Sequence, residues 1–296
     1  MGNRRRSITH RSDREPPVAR RSVFATHRQI RGEKGELLVR SLKLALRQLK
    51  YNERAFRRNP AAAFFTIGFP LIFLVILNVI FGNRTIDLGD RVISGATFYI
   101  PAIVTLTVVN SCYTSVAMSW VYDRDSGLLK RIRGAPLPAW ASLLGRITYV
   151  VLLMVVLATI VVVFGRLFYD VAIPGATMPA VLVSLAIGAF TFCALALALA
   201  SFVPNSDAAP AVVNGTILPL LFISEVFIPP DAGTPDWVEK VSLVFPVQHL
   251  SKALQTGFNP LETGAGFEPL HLGVISAWGI AGLILTLRFS SWEPRV

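Results

Sequence analysis

Apolar residues dominate this chain in long uninterrupted blocks, and the lengths of those blocks decide the fold class. A helix rises 1.5 Å per residue, so about 20 residues cross about 30 Å of hydrocarbon. Six windows of that order contain no Asp, Glu, Lys or Arg: roughly 62–81, 97–119, 147–165, 178–203, 208–224 and 270–287. The pattern predicts an all-α membrane protein with six transmembrane helices. Pro70, Pro101 and Pro219 fall inside these windows, which bilayer helices tolerate when neighbouring groups re-satisfy the freed backbone.

Orientation follows from the positive charges between the windows. With the N-terminus in the cytoplasm, the inside segments carry 24 Lys and Arg and the outside segments five. Seventeen of the inside charges precede Pro60, and five more are Arg124, Lys130, Arg131, Arg133 and Arg146. An even number of spans returns the C-terminus to the cytoplasm, where Arg288 closes the last window. The predicted location is the plasma (inner) membrane. The outside loop, 227–269, is acidic, with Asp231, Asp236, Glu239, Glu262 and Glu268. Its own apolar stretches predict re-entrant segments that fold back on the membrane.

Composition agrees: 53% of residues are hydrophobic, 16% are charged and the mean hydropathy is +0.54, against about a quarter charged in soluble domains. The net charge of +11 would suit a nucleic-acid binder if it were spread over a folded domain, but it is concentrated in the N-terminal flank. The two cysteines, Cys112 and Cys193, sit in apolar runs without metal-ligand or disulfide-framework spacing and read as packing residues. No apolar segment lies early enough to serve as a secretory signal.

The flank divides in two. Residues 1–35 are Arg-rich and aromatic-poor, the composition of a disordered tail. Over 36–60, Arg40, Lys43, Arg47, Lys50, Arg54 and Arg57 recur at steps of three and four, and Leu38, Leu42, Ala45, Leu49 and Phe56 form a second stripe. That is an amphipathic helix. Just before a span it is expected to lie in the cytoplasmic interface with its cations toward anionic lipid; a charged helix packed on a soluble partner has the same pattern.

The most specific segment lies in the second cytoplasmic stretch, 120–146. Ser126 is placed to cap a short helix, Leu128, Leu129 and Ile132 share one face, Lys130, Arg131 and Arg133 another, and Gly134 with Pro136 stops it. Exposed leucines beside cations suit a docking knob for a soluble partner. An ordinary positive-inside loop fits the spacing equally well.

Three sequences together carry a resemblance: Arg57-Arg58-Asn59-Pro60, the loop from Asp123 through Gly127 and Lys130 to Pro138, and Phe245-Pro246-Val247-Gln248-His249-Leu250. From about Leu37 to Leu287 the chain resembles the type-2 permeases of ABC transporters, of the drug-resistance and nodulation kind. The resemblance implies a permease domain over 61–289 and a coupling helix formed by Gly127, Leu128, Leu129, Lys130, Arg131 and Ile132. Glu53, Arg57 and Arg58 would border the same ATPase contact, and Pro246 and His249 match the motif before the sixth span. It further implies a separate ATPase subunit that holds ATP and magnesium, two copies of each subunit, surrounding lipid, and export of an amphipathic drug, lipid or lipid-linked substrate. Glu225 departs from the family pattern and reads as an interfacial carboxylate.

The chain contains no Gly-x-x-x-x-Gly-Lys-Ser/Thr phosphate loop, so it is not expected to bind ATP in that way or to be an enzyme itself. No metal-ligand set, serine-nucleophile elbow or cluster of intramembrane carboxylates appears either. A proton-coupled secondary transporter would use buried ionisable groups, and only Glu225 and His271 qualify; a structural membrane subunit is the remaining alternative. Asn78, Thr107, Asn110, Ser111, Asn214 and Thr216 are polar positions within the spans. They are candidates for a substrate path, or for hydrogen bonds between helices.

Overall fold

The computed structural model describes residues 53–54, 56–58, 60–82, 85–87, 92–129, 139–224, 226–227 and 235–289. Most of the expected 36–60 helix, residues 130–138 and Glu225 lie outside them. Nine α-helices and one short ribbon make up the described residues: α1 (Pro60–Phe81), β1 (Thr85–Asp87), β2 (Val92–Ser94), α2 (Gly95–Val108), α3 (Val116–Asp125), α4 (Ala139–Tyr169), α5 (Met178–Ala200), α6 (Ala209–Ile223), α7 (Asp236–Ser242), α8 (Pro246–Phe258) and α9 (Pro269–Phe289). A π-helical segment, Val109–Ser115, joins α2 to α3, making one rod of 31 residues from Gly95 to Asp125.

Among the described residues, four helices are long and apolar enough to cross a membrane: Gly95–Asp125, Leu143–Tyr169, Met178–Ala200 and Pro269–Phe289. The other two expected spans are also helical, but the apolar stretches Thr66–Phe81 and Ala209–Ile223 are shorter. At 1.5 Å per residue the Gly95–Asp125 rod is about 46 Å long, beyond the ~30 Å of hydrocarbon. A rod of that length exceeds the apolar layer by about three turns. Pro70, Pro101 and Pro219 all lie inside helices.

The Gly95–Asp125 rod is the centre of the molecule. Its most apolar stretch is 83% buried, against 28% for α4 and 22% for α9, so α4 and α9 present most of their apolar surface outward. Leu152, Val156, Val163, Ile280, Ile284 and Leu287 are exposed, as expected where the surrounding medium is hydrocarbon.

The broadest helix pairing joins α5 and α9, and small residues make it possible. A Cβ on Gly279 would come within 2.6 Å of Thr191 Oγ1, and one on Gly282 within 3.0 Å of the Leu195 backbone. Thr191 Oγ1 donates to the Ile275 carbonyl at 2.9 Å and Thr286 Oγ1 to the Ala194 carbonyl at 3.2 Å. Close backbones and hydroxyl bonds are the usual means of holding helices together in lipid.

The ribbon adds to the all-α expectation. β1 and β2 pair antiparallel with Ile86 opposite Ile93, both buried, while Ser94 Oγ accepts from the Thr97 amide and starts α2. Its three-residue strands are too short to show a period in the sequence. α8 stands in the acidic loop, where re-entrant segments are expected. Ten of its 13 residues are buried, and Thr177 Oγ1 ties it to α5 by donating to the Gly257 carbonyl at 2.6 Å.

Candidate functional site

Asp123, Arg124 and Asp125 form a node at the end of the bundle where α3 stops and α4 and α6 begin. Arg124 is only 1% exposed. Its Nη1 donates to the Ala200 carbonyl at 3.1 Å, and its Nη2 to the carbonyls of Val203 at 2.8 Å and Pro204 at 3.1 Å. The guanidinium thus supplies donors to carbonyls that the end of α5 leaves without helical partners. A cation at a helix C-terminus also opposes the negative end of its dipole. Nε pairs with Asp125 at 3.2 Å, and the other Asp125 oxygen accepts the Ser206 amide. Asp123 pairs with Arg146 on α4. Three consecutive residues therefore bind the stem of the 120–146 loop to α4, to α5 and to the connection into α6. Residue spacing does not reveal this node, although three consecutive charges beside a span are a signal for it.

Gly127 has φ +70° and its amide donates to the Arg124 carbonyl at 3.1 Å. It is the left-handed residue that ends α3. Ser126, expected as an N-cap for the next helix, instead donates through Oγ to the Asp123 carbonyl at 3.2 Å and belongs to the end of α3. The two leucines diverge: Leu128 is 41% exposed and Leu129 4%, so Leu129 packs into its own bundle and Leu128 faces outward. Lys130, Arg131 and Ile132 lie outside the described residues. Glu53 and Arg57 form an exposed ion pair at 3.4 Å, and Arg58 is exposed beside them.

Next to this node a cavity of about 790 Å³ opens between Phe56, α1, the Gly95–Asp125 rod and α4. Thr107, Asn110 and Ser111 line it, with Thr114, Ser115 and Ser119 continuing down the rod. Phe56, Phe69, Tyr149 and Leu153 face them, and Tyr122 and Arg146 also contribute. The other polar span positions do not line this cavity. Asn78 Nδ2 donates within α1 to the Leu74 carbonyl. Thr216 on α6 shares a 2.9 Å hydrogen bond with Tyr113, and Asn214, half-buried, lies on α6 as well. The six positions thus fall into separate places in the fold.

At the other end of the bundle, Pro246 is buried at the start of α8, where its missing N–H costs nothing. His249 is buried on the next turn. Its Nε2 lies 2.8 Å from the Leu243 carbonyl and its Nδ1 2.7 Å from Nδ1 of His271. A carbonyl can only accept, so Nε2 of His249 donates to Leu243, and one of the two facing Nδ1 atoms carries the proton they share. Among the described residues no group of three or more His, Cys, Asp or Glu could hold a metal ion.

Residues 44–259, most of the chain, match the family described as ABC-2 type transporter. The chain belongs to the ABC-2 type transporter family. A relative from Streptomyces coeruleorubidus, the daunorubicin resistance ABC transporter permease protein DrrB1, is 28% identical over 241 residues, covering 79% of this chain and 81% of the relative. The resemblance seen in the sequence is therefore shown at family level, and this ABC-2 protein is a multi-pass membrane permease. The family match covers the Asp123–Asp125 node, the cavity and α8.

Proposed function

We propose that this ABC-2 protein is the membrane subunit of an ATP-driven exporter in the plasma (inner) membrane, with both termini cytoplasmic, six spans and an interfacial helix before the first. A separate ATPase subunit binds and hydrolyses ATP, and two permease copies form the pathway. The daunorubicin-resistance relative favours an amphipathic drug as substrate, with lipid or lipid-linked molecules as the other members of that class.

The observation that carries the reading is the Asp123–Arg124–Asp125 node. A motor pushing on the loop after Gly127 meets no slack there. Its displacement reaches α4 through Arg146, α5 through Arg124 and the start of α6 through Asp125. Leu128, exposed just past Gly127, supplies an apolar anchor for the ATPase, and residues 127–132 form the coupling element. Thr107, Asn110 and Ser111 mark the substrate path.

The test is affinity purification of the tagged permease from its own membranes, followed by ATPase assays of the captured complex. A phosphate-loop ATPase is expected to co-purify, and Leu128→Asp is expected to release it while the permease stays folded. Leu129→Asp should instead unfold the permease itself. Purification without any ATPase would overturn the reading.

A further inference from the structure

Three contacts join α8 and the turn before it to α9, in antiparallel order. Thr256 Oγ1 donates to Glu268 Oε1 at 3.2 Å, the Nδ1 atoms of His249 and His271 meet at 2.7 Å, and Trp278 Nε1 donates to the Val244 carbonyl at 2.8 Å. Phe245 stacks on Trp278 with ring centroids 6.2 Å apart. The histidine contact also holds the turn itself, because Nε2 of His249 donates to the Leu243 carbonyl at 2.8 Å. His249 therefore bridges the turn 243–245 to α9 through a side chain that titrates between about pH 5 and 8.

Two rings that meet through Nδ1 have a fixed proton capacity. One Nδ1 carries the shared proton, and the other must stay bare to accept it. The closed pair thus holds at most one positive charge. Separated, the two rings hold two, so acid favours separation. His249 is 4% exposed, but His271 is only half-buried, which gives water a way to the pair. Two charged groups act on His271: Glu268, three residues earlier, attracts a positive charge there, and Lys252, three residues after His249 on α8, repels it. Tyr99 and Cys193 are the only ionisable side chains on α2 and α5, the other helices packed on α8, and Glu239 and Lys240 on α7 are exposed.

We propose that His249 and His271 form an acid-operated latch: when both imidazoles are protonated, the turn 243–245 and the start of α8 part from α9, and His271 turns toward Glu268. In the orientation proposed above the latch faces the outer side of the membrane, so acid there loosens the outer end of the bundle. That placement rests on the exporter reading; the proton count does not.

The experiment uses the full chain in lipid nanodiscs without an ATPase. Val244→Cys, at an exposed position, is labelled with bimane, whose emission a tryptophan quenches on close approach. Cys112 and Cys193 are buried, and the chain without Val244→Cys, treated in parallel, gives the labelling background. Between pH 7.5 and 5.0 the emission is expected to rise reversibly as Trp278 draws away. The open-to-closed ratio should grow up to about thirtyfold, the effect of one extra proton bound near the ordinary histidine midpoint of about 6.5. Trp278→Phe should give high emission at both pH values, as should His271→Leu. His271→Asn is the sharper variant. Its amide offers a donor and an acceptor at the reach of Nδ1, meets His249 in either protonation state, and should keep emission low throughout. Glu268→Gln should retain the rise. Emission indifferent to pH in the labelled parent, an equal rise in His271→Asn, or a rise abolished by Glu268→Gln would overturn the latch. Purification without an ATPase, with the pH response intact, would instead sink the exporter reading and leave the latch standing.

Discussion

Arg124 Nη2 donates to the Val203 carbonyl at 2.8 Å across 79 residues of sequence, joining the end of one helix to the turn that follows another. Removing that group leaves the carbonyls of Ala200, Val203 and Pro204 without it, in a site Arg124 covers almost completely. Arg124→Gln is expected to cost about 3–5 kcal/mol, the usual penalty for breaking a buried charged network. Arg124→Lys should recover less than half of the loss, because an ammonium cannot span the same fork of acceptors. Thermal unfolding in detergent, with denaturant titration where reversible, measures both.

Gly127 invites a cleaner backbone test. A Cβ there would meet no atom within 4 Å, but φ is +70°. Gly127→Ala should therefore cost about 1 kcal/mol through the left-handed conformation alone. Gly127→Asn should cost less, since asparagine tolerates that region. Equal stabilities for the two variants would contradict the account.

Gln248 is fully buried on α8, and neither amide atom has a hydrogen-bond partner among the described residues. Replacing it with methionine keeps the length and removes both polar atoms. Gln248→Met is expected to stabilise the protein by about 1–3 kcal/mol, read as a higher melting temperature.

The α5–α9 seam has little tolerance for added volume. Gly282→Ala places a methyl 3.0 to 3.1 Å from the backbone of Ala194 and Leu195, where no side-chain rotation can relieve it. About 1–3 kcal/mol of destabilisation is expected, as for overpacking elsewhere. Gly273→Ala, with nothing within 4 Å on the same helix, is the control and should be nearly neutral.

Much of the bundle was legible because hydrocarbon imposes a length rule. Helices stand where windows free of charged residues run for about 20 residues, and the ends differ by a few residues because helical hydrogen bonding continues past the apolar layer. What pattern reading missed depends on pairings distant in sequence. The ribbon rests on Ile86 facing Ile93. The Arg124 node is made across 76 to 80 residues, and the His249–His271 bond across 22. The loop leucines were legible as apolar, but their spacing could not tell that Leu129 faces inward and Leu128 outward. Thr107, Asn110 and Ser111 were picked out as polar positions in a span. The π-helical turn beside them has no signature in residue type.

The Gly279–Gly282 seam has a consequence for biogenesis. α5 precedes its main partner, α9, the last described helix, with Thr191 and Ile275 separated by 84 residues. At about 5–20 residues per second, the fourth expected span waits roughly 4–17 seconds for the sixth, its Thr191 hydroxyl and small-residue face exposed to whatever surrounds the nascent chain. A ribosome stalled after α8 would leave that face open, so the arrival of α9 is the step that covers it.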